Sequence, residues 1–112
     1  MGLFHEEYDL ALSPVLTRLP PRLGTQGGTQ HHLTHAESVD LAFDLFPFTP
    51  AMNMSGQPAI SVPTGESRDG LPLAAQFSAR FGDERTLLQV AGQLEQAMPW
   101  ADRRPGIHAS TD

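Results

Sequence analysis

The chain has 112 residues and a net charge of −6 at pH 7, with 39% hydrophobic and 18% charged residues. This composition is typical of a globular domain and is too apolar for disorder throughout. The lack of cysteine excludes disulfides and zinc–thiolate sites, and the negative charge disfavours a nucleic acid partner.

The opening residues, MGLFHEEYDL, lack the basic and apolar regions of a signal peptide. No apolar run approaches the length of a membrane span, so we expect a cytoplasmic protein with no membrane partner. Residues 8–16, YDLALSPVL, alternate apolar with polar or small residues and predict a short strand that ends near Pro14.

Residues 17–30 contain two prolines and three glycines and predict a surface loop. Their glycine-rich part is not followed by Gly-Lys-Ser/Thr, so a phosphate-binding loop is disfavoured. Residues 31–46, HHLTHAESVDLAFDLF, are consistent with a helix, although their apolar positions form no clean face. His31, His32 and His35 have spacings that could face a metal, but Glu37 is the only close acidic partner and we expect no metal site.

Two further strands are predicted around a polar turn. Residues 59–62 form a short buried strand closed by Pro63, and residues 64–70 form a turn that ends in Asp-Gly. Residues 71–80, LPLAAQFSAR, have the clearest alternation in the chain, with mostly small residues on the second face. This pattern is typical of a strand covered on both sides. The two strands are candidate hairpin partners, although the length of the turn leaves other pairings open.

The last predicted element is a helix. Asp83 can cap it by accepting a hydrogen bond from its first N–H groups, and Pro99 stops it. Its apolar stripe consists of Leu87, Ala91, Leu94 and Met98. Trp100 is placed to fold back onto the core, and we expect residues 101–112 to form a frayed tail.

One or two helices are too few to cover both faces of a sheet made from the three short strands. The pattern therefore predicts part of a domain. Three stretches carry a resemblance to a known family: YDLALSPVLTRLPPRLG, FTPAMNMSGQPAISVPTG and DGLPLAAQFSARFGDERTLLQVAGQLEQAMPW. From about Tyr8 to Pro105 the chain resembles the carboxyl-terminal part of amidase signature hydrolases. FPFTPAMNMSGQP is similar to the branch that contains cyclic-dimer (nylon oligomer) hydrolases.

The resemblance implies an α/β fold. Residues 1–112 would be an incomplete amidase-type α/β/α sandwich, with a few strands of a mixed sheet, a carboxyl-terminal helix and no catalytic core. It also implies that an Asn-x-x-Gly-Gln-Pro loop, here Asn53, Gly56 and Gln57, lies near the substrate cavity. Gly56 would permit a positive φ or a close backbone approach, Pro58 would hold Gln57 extended, and the Asn53 amide could bond the loop backbone.

The family's chemistry uses a Ser–Ser–Lys constellation that lies upstream of the matched region. All seven basic residues of this chain are arginine, and no Gly/Ser-rich signature is present, so no catalytic residue can be assigned. Ser13 and Ser61 lack a neighbouring base, and Asp9 and Asp44 are acid–base candidates only by residue type. We expect no cofactor, and the implied partner is the upstream catalytic part of an amidase.

Two hypotheses follow. In the first, the chain is a carboxyl-terminal amidase segment from a truncated gene, a split product or a mis-called start. It completes the sheet and the substrate-cavity wall and is inactive by itself. In the alternative, it is a stand-alone interaction module that binds a partner through its open sheet edge. A metal-binding histidine protein is a distant third. An upstream reading frame that carries the lysine and the Gly/Ser-rich signature would favour the first.

Overall fold

A computed structural model describes residues 2–25, 32–104, 107 and 109 of the chain. Residues 26–31, which include His31, and half of the predicted frayed tail lie outside these ranges. Within the described ranges the elements are, in chain order, α1 (Phe4–Glu7), β1 (Leu10–Pro14), α2 (His35–Leu45), α3 (Thr49–Ser55), β2 (Ala59–Glu66), β3 (Pro72–Ala79) and α4 (Glu84–Ala97). None of these helices is long and apolar enough to cross a membrane.

The three strands form one antiparallel sheet with the order β1-β3-β2. β3 therefore lies in the middle, with Phe77 opposite Leu12 on one side and opposite Ile60 on the other. The predicted hairpin of β2 and β3 is confirmed. Its turn is closed by hydrogen bonds from Ser67 N to Leu71 O (2.8 Å) and from Gly70 N to Ser67 O (3.0 Å).

The sequence-based expectation that the second strand stops at Pro63 is wrong, because β2 continues to Glu66. Proline cannot donate a ladder hydrogen bond, but it is tolerated on an edge strand or at a bulge. Both conditions hold here, since β2 is an edge strand and its register with β3 shifts between Pro63 and Gly65. The strand is also less buried than expected, because of residues 59–62 only Val62 is buried.

β3 is covered on both faces only along its second half. Gln76, Ser78 and Ala79 are buried, whereas Leu73 near its beginning and Leu71 just before it are exposed. Gln76 lies directly opposite Ser13 of β1 and Ser61 of β2, so these three polar residues form a row across one face of the sheet. Its Nε2 donates to Ser13 Oγ over 3.4 Å, which partly satisfies a side chain that is only 5% exposed.

The two longer helices begin at side-chain caps. Asp83 Oδ1 accepts a hydrogen bond from Thr86 N (3.3 Å), as predicted, and α4 packs on β2 and β3. Leu87 of the predicted stripe is buried, while Ala91 and Leu94 are half-buried. The helix predicted within residues 31–46 is present as α2, and it is joined to the segment after β1 by the hydrogen bond from Thr17 N to Leu45 O (3.0 Å).

The described hydrophobic core is small, and its buried members are Leu45, Val62, Ala79 and Leu87. The half-buried Trp100 follows the end of α4, where the predicted stop at Pro99 falls two residues after the last helical residue, Ala97. The small core agrees with the expectation that these residues are one part of a larger packed unit.

Candidate functional site

Asn53 lies inside α3 and not in an irregular loop, which corrects the prediction that its amide bonds loop backbone. Pro50 in the first turn suits a helix start, because the N–H that proline lacks would have no intrahelical partner there. The Asn53 side chain is exposed and makes no hydrogen bond to any described residue. Its placement near a substrate cavity stays a prediction.

Gly56 ends α3 in the left-handed conformation, with φ 70° and ψ 11°, so the predicted positive φ is confirmed. Its N–H donates to Met52 O over 2.9 Å, which satisfies one of the last carbonyls of the helix. The space beside it is bounded by Phe81, whose Cε2 would lie 3.5 Å from a Cβ built on Gly56. Glycine is therefore required here by the backbone conformation and not by crowding.

Gln57 joins the end of α3 to the end of the central strand. Its Nε2 donates to Ala79 O over 3.2 Å, and its Oε1 accepts from Ser55 Oγ over 3.3 Å. Pro58 O accepts from Ala79 N over 3.2 Å, immediately before β2 begins. Gly56 and Gln57 thus lie together at one end of the sheet, held against the last residue of β3.

A cavity of about 440 Å³ lies beside this junction. Its walls come from α1, from the end of α3 and from the end of β3, and the lining residues are Gly2, His5, Glu6, Ser55, Gln57, Arg80 and Phe81. The sequence gives no sign of this cavity, because α1 has only four residues and no periodicity that would mark His5. The cavity combines polar groups of both charges with an aromatic ring that is 79% exposed.

Arg80 is the cationic group of this cavity. Its guanidinium lies 3.6 Å from Asp9 Oδ1 and 3.7 Å from Asp83 Oδ2. Both pairs are long, and the Arg80 and Asp9 side chains are largely exposed, so each pair contributes little to stability. Asp9 therefore serves as an ion-pair partner, and Asp44 does the same for Arg18 at 2.6 Å.

The remaining candidates from the sequence do not form a catalytic arrangement. Ser13 Oγ accepts from Gln76, and neither Ser13 nor Ser61 makes a hydrogen bond to a basic side chain in the described residues. No group of three or more His, Asp or Glu side chains suited to a metal ion occurs in the part of the chain that the structure describes. His35 begins α2 and His32 is exposed, while His31 lies outside the described residues.

A second concavity, of about 770 Å³, opens beside β1. It is mostly apolar and is lined by residues of β1, the segment after it and the first half of β3, including Leu12, Leu16, Leu19, Leu73 and Ala75. Leu12 is 68% exposed although it lies on the strand next to the centre of the sheet. One side of the sheet is thus left without a covering layer at β1.

Comparison with known proteins places this α/β arrangement in a family. The model of the amidase family matches residues 1–88, and the chain belongs to that family. It is 44% identical over 103 residues to the 6-aminohexanoate-cyclic-dimer hydrolase of Pseudomonas sp. (strain NK87) and 43% identical to the enzyme of that name from Paenarthrobacter ureafaciens.

A solved structure of 6-aminohexanoate cyclic dimer hydrolase superposes on the chain with a TM-score of 0.80 and 40% identity, covering 94% of this chain and 22% of that one. The two curated relatives are likewise covered over 21% of their length by 89% of this chain. The chain therefore spans about a fifth of the length of the relatives it matches. The matched part is a carboxyl-terminal segment of such hydrolases.

Proposed function

We propose that this chain is the part of an amide hydrolase that completes the central sheet and supplies one wall of the substrate cavity. The wall is formed by the junction of α3, β2 and β3, with Asn53, Gly56 and Gln57 nearest the substrate. The nucleophile and the base come from a catalytic part upstream of the matched segment. By itself the chain turns over no amide.

One observation carries this proposal: the 112 residues include no lysine. The chain belongs to the amidase family, and the resemblance to amidase signature hydrolases implies that catalysis needs a lysine base. The geometry supports it, because Ser13 and Ser61 lie on the sheet and make no hydrogen bond to a basic side chain among the described residues. The uncovered side of β1 and the small buried core further support a segment that packs against a larger body.

The names of the relatives suggest the substrate class. Two curated relatives and a solved structure are named for hydrolysis of the cyclic dimer of 6-aminohexanoate. We therefore propose cyclic and linear amides of ω-amino acids as the substrates of the complete enzyme. A cavity wall at Gln57 would contribute an amide that is fixed in position by its bonds to Ala79 O and Ser55 Oγ.

The test is complementation. The amino-terminal part of the Pseudomonas hydrolase, ending where its similarity to this chain begins, is co-expressed with the 112-residue chain. We expect a co-purifying complex that hydrolyses the cyclic dimer, while neither polypeptide does so separately. A complex that forms and stays inactive would remove the hydrolase role, and the absence of any complex would contradict the proposal as a whole.

A further inference from the structure

Asp69 and Gly70 lie at the tip of the hairpin that joins β2 to β3, and the proposed function gives them no role. Asp69 is the only aspartate or asparagine among the 112 residues that is followed by glycine. It is exposed, and its carboxyl group makes no hydrogen bond or ion pair to any described residue. A Cβ built on Gly70 would meet nothing within 4 Å, so the space beside Gly70 is open as well.

An aspartate that precedes glycine can react with its own backbone. The glycine nitrogen attacks Cγ of the aspartate, a new C–N bond forms, and the hydroxyl of the carboxyl group leaves with the amide proton as water. Water then opens the resulting cyclic imide. Cleavage of the bond from nitrogen to Cγ returns aspartate, whereas cleavage of the bond from nitrogen to the main-chain carbonyl carbon gives isoaspartate. Glycine favours this reaction because it has no side chain to obstruct the nitrogen and few limits on its backbone dihedrals.

The folded hairpin directs the attacking nitrogen elsewhere. Gly70 N donates to Ser67 O over 3.0 Å, and Ser67 N donates to Leu71 O over 2.8 Å. Residues 68–70 thus form a three-residue hairpin loop that ends in the left-handed Gly70, with φ 77°. Attack on Cγ requires the Gly70 amide to leave Ser67 O and to turn toward the Asp69 side chain.

The side chain of Ser67 holds the same loop a second time. Its Oγ accepts hydrogen bonds from Asp69 N over 3.3 Å and from Leu71 N over 3.1 Å. The residues before and after Gly70 are therefore bonded to one hydroxyl. This hydroxyl resists the rotation that would bring the Gly70 nitrogen to Cγ.

We propose that Asp69 is a modification site of this chain, which isomerises to isoaspartate where the hairpin is open and is protected by Ser67 where the hairpin is folded. The reaction needs only water and does not depend on the proposed hydrolase role. Isoaspartate routes the main chain through Cβ and Cγ, which lengthens the loop between the paired Ser67 and Leu71. A chain that stays unfolded thus acquires a defect in the hairpin that positions its central strand.

The reactivity of Asp69 is measured first in concentrated guanidinium chloride, where the fold has no influence. The chain is incubated near neutral pH and digested, and the isomeric peptides are separated by chromatography and identified by mass spectrometry. We expect more isoaspartate at residue 69 than at any other aspartate. Asp69→Glu should remove it, because glutamate would have to form a larger and less favourable ring. No isoaspartate at residue 69, or an equal amount at Asp40, which precedes Leu41, would overturn the proposal.

Protection by Ser67 is measured in a single chain that keeps the hairpin folded. The 112 residues replace the matched carboxyl-terminal segment of the Pseudomonas hydrolase, to which they are 44% identical, and a cooperative melt verifies that this graft is folded. We expect isoaspartate to form at least about tenfold more slowly in the graft than in denaturant, because the hydrogen bonds of the loop must open first.

Ser67→Ala should raise the rate in the graft about tenfold, since two hydrogen bonds to Oγ are lost. Ser67→Thr keeps the hydroxyl and should react as slowly as the wild type, and in denaturant all three chains should react equally. Equal rates for the graft in its folded and denatured states, or no effect of Ser67→Ala, would overturn the protective role. A graft without a cooperative melt would count against the proposed function, and the measurement in denaturant would still decide whether Asp69 is the site.

Discussion

Gly56 and Gln57 fix the local backbone geometry at the predicted site. Gly56 turns the chain out of α3 through a left-handed conformation, and Gln57 then bonds to the end of β3. A residue with a Cβ at position 56 would have to adopt a conformation that L-residues rarely accept. The geometry of the junction thus depends on one backbone dihedral.

Gly56→Ala should lower the free energy of unfolding of the complex between this chain and the catalytic part by about 1 kcal/mol. The cause is the left-handed φ of 70°, since the nearest atom to the new methyl group, Phe81 Cε2, would be at an ordinary 3.5 Å. Thermal unfolding of the complex measures the effect.

Gly92→Ala is the matched control, and its effect should have the opposite sign. Gly92 lies within α4, where a Cβ would meet nothing within 4 Å. Alanine is the better helix former by about 1 kcal/mol, so this variant should melt at a higher temperature. Equal melting temperatures for the two variants would show that the turn at Gly56 is not constrained.

Chemical labelling of Ser13 and Ser61 tests whether the isolated chain lacks a catalytic nucleophile. Both lie opposite Gln76 on the sheet, without a base that would activate a hydroxyl. A serine-directed fluorophosphonate should therefore leave the isolated chain unlabelled in mass spectrometry. Stoichiometric labelling of either serine would show that the chain carries its own nucleophile.

At the scale of elements, the start of α2 is defined by a local capping motif. The apolar pattern of this helix does not define it. Thr34 and Glu37 form a capping box: Glu37 N donates to Thr34 Oγ1 (3.3 Å) and Thr34 N donates to Glu37 Oε2 (2.8 Å). Each bond satisfies a backbone N–H that would otherwise lack a partner. The helix accordingly begins at His35, after this box.

The hydrogen bonds from the Thr34 side chain and then from its backbone hold the pKa of Glu37 below its ordinary value. A lowered pKa in the folded chain means that this group stabilises folding at pH values above its unfolded pKa. The contribution is lost as the pH falls through the lower folded value. Glu37→Gln should therefore reduce the melting temperature of the complex near neutral pH and leave it unchanged at pH 2.

Glutamine keeps an oxygen that can accept from Thr34, so the comparison isolates the charge. Melting curves of the wild type and the variant, collected from pH 2 to pH 7, would measure the difference. A constant difference across this range would contradict a role for the carboxylate charge in the cap.

How far the sequence predicted these elements depended on the strength of their periodicity. β1, β3 and α4 were predicted because their alternation or apolar stripe spans the whole element. The helices α1 and α3 were missed, since four and seven residues are too short to show a helical period. The extent of β2 beyond Pro63 depends on its edge position and on the register shift, which are properties of the assembled sheet.

The same limit applies to the site. The positive φ of Gly56 was expected from the resemblance of its loop to the family motif and from the conformational freedom of glycine. The buried state of His5 depends on α1 lying beside the ends of α3 and β3, which are far from it in sequence. No pattern around residue 5 marks that neighbourhood. The placement of Asn53 in a helix was likewise decided by Pro50 at the helix start and not by the motif that contains it.

At the scale of the whole molecule, exposed apolar surface is the main feature. Large apolar side chains in separate parts of the described chain are largely exposed, among them Leu12, Met54, Phe81 and Leu88. Apolar burial contributes about 25 cal/mol per Å², and net domain stability is only about 5–15 kcal/mol. A missing covering layer of several hundred Å² is therefore comparable to the entire stability of the fold.

The isolated chain should accordingly be molten or self-associated, and should become ordered only with the catalytic part of an amidase. Analytical ultracentrifugation and near-ultraviolet circular dichroism, which reports on Trp100, would compare the two states. A sharp and concentration-independent melt of a monomer would show instead that the chain is a self-sufficient domain. A stand-alone interaction module would then be the better hypothesis.

The sheet order has a consequence for synthesis on the ribosome. Of the three described strands, β3 is translated last, yet it lies between β1 and β2 and bonds to both. Until Ala79 has left the exit tunnel, the two earlier strands have no common neighbour and the nascent polypeptide cannot build this sheet. This sheet therefore forms only after β3 has been made, and translation that terminates before Pro72 yields a chain whose strands β1 and β2 have no strand to join them.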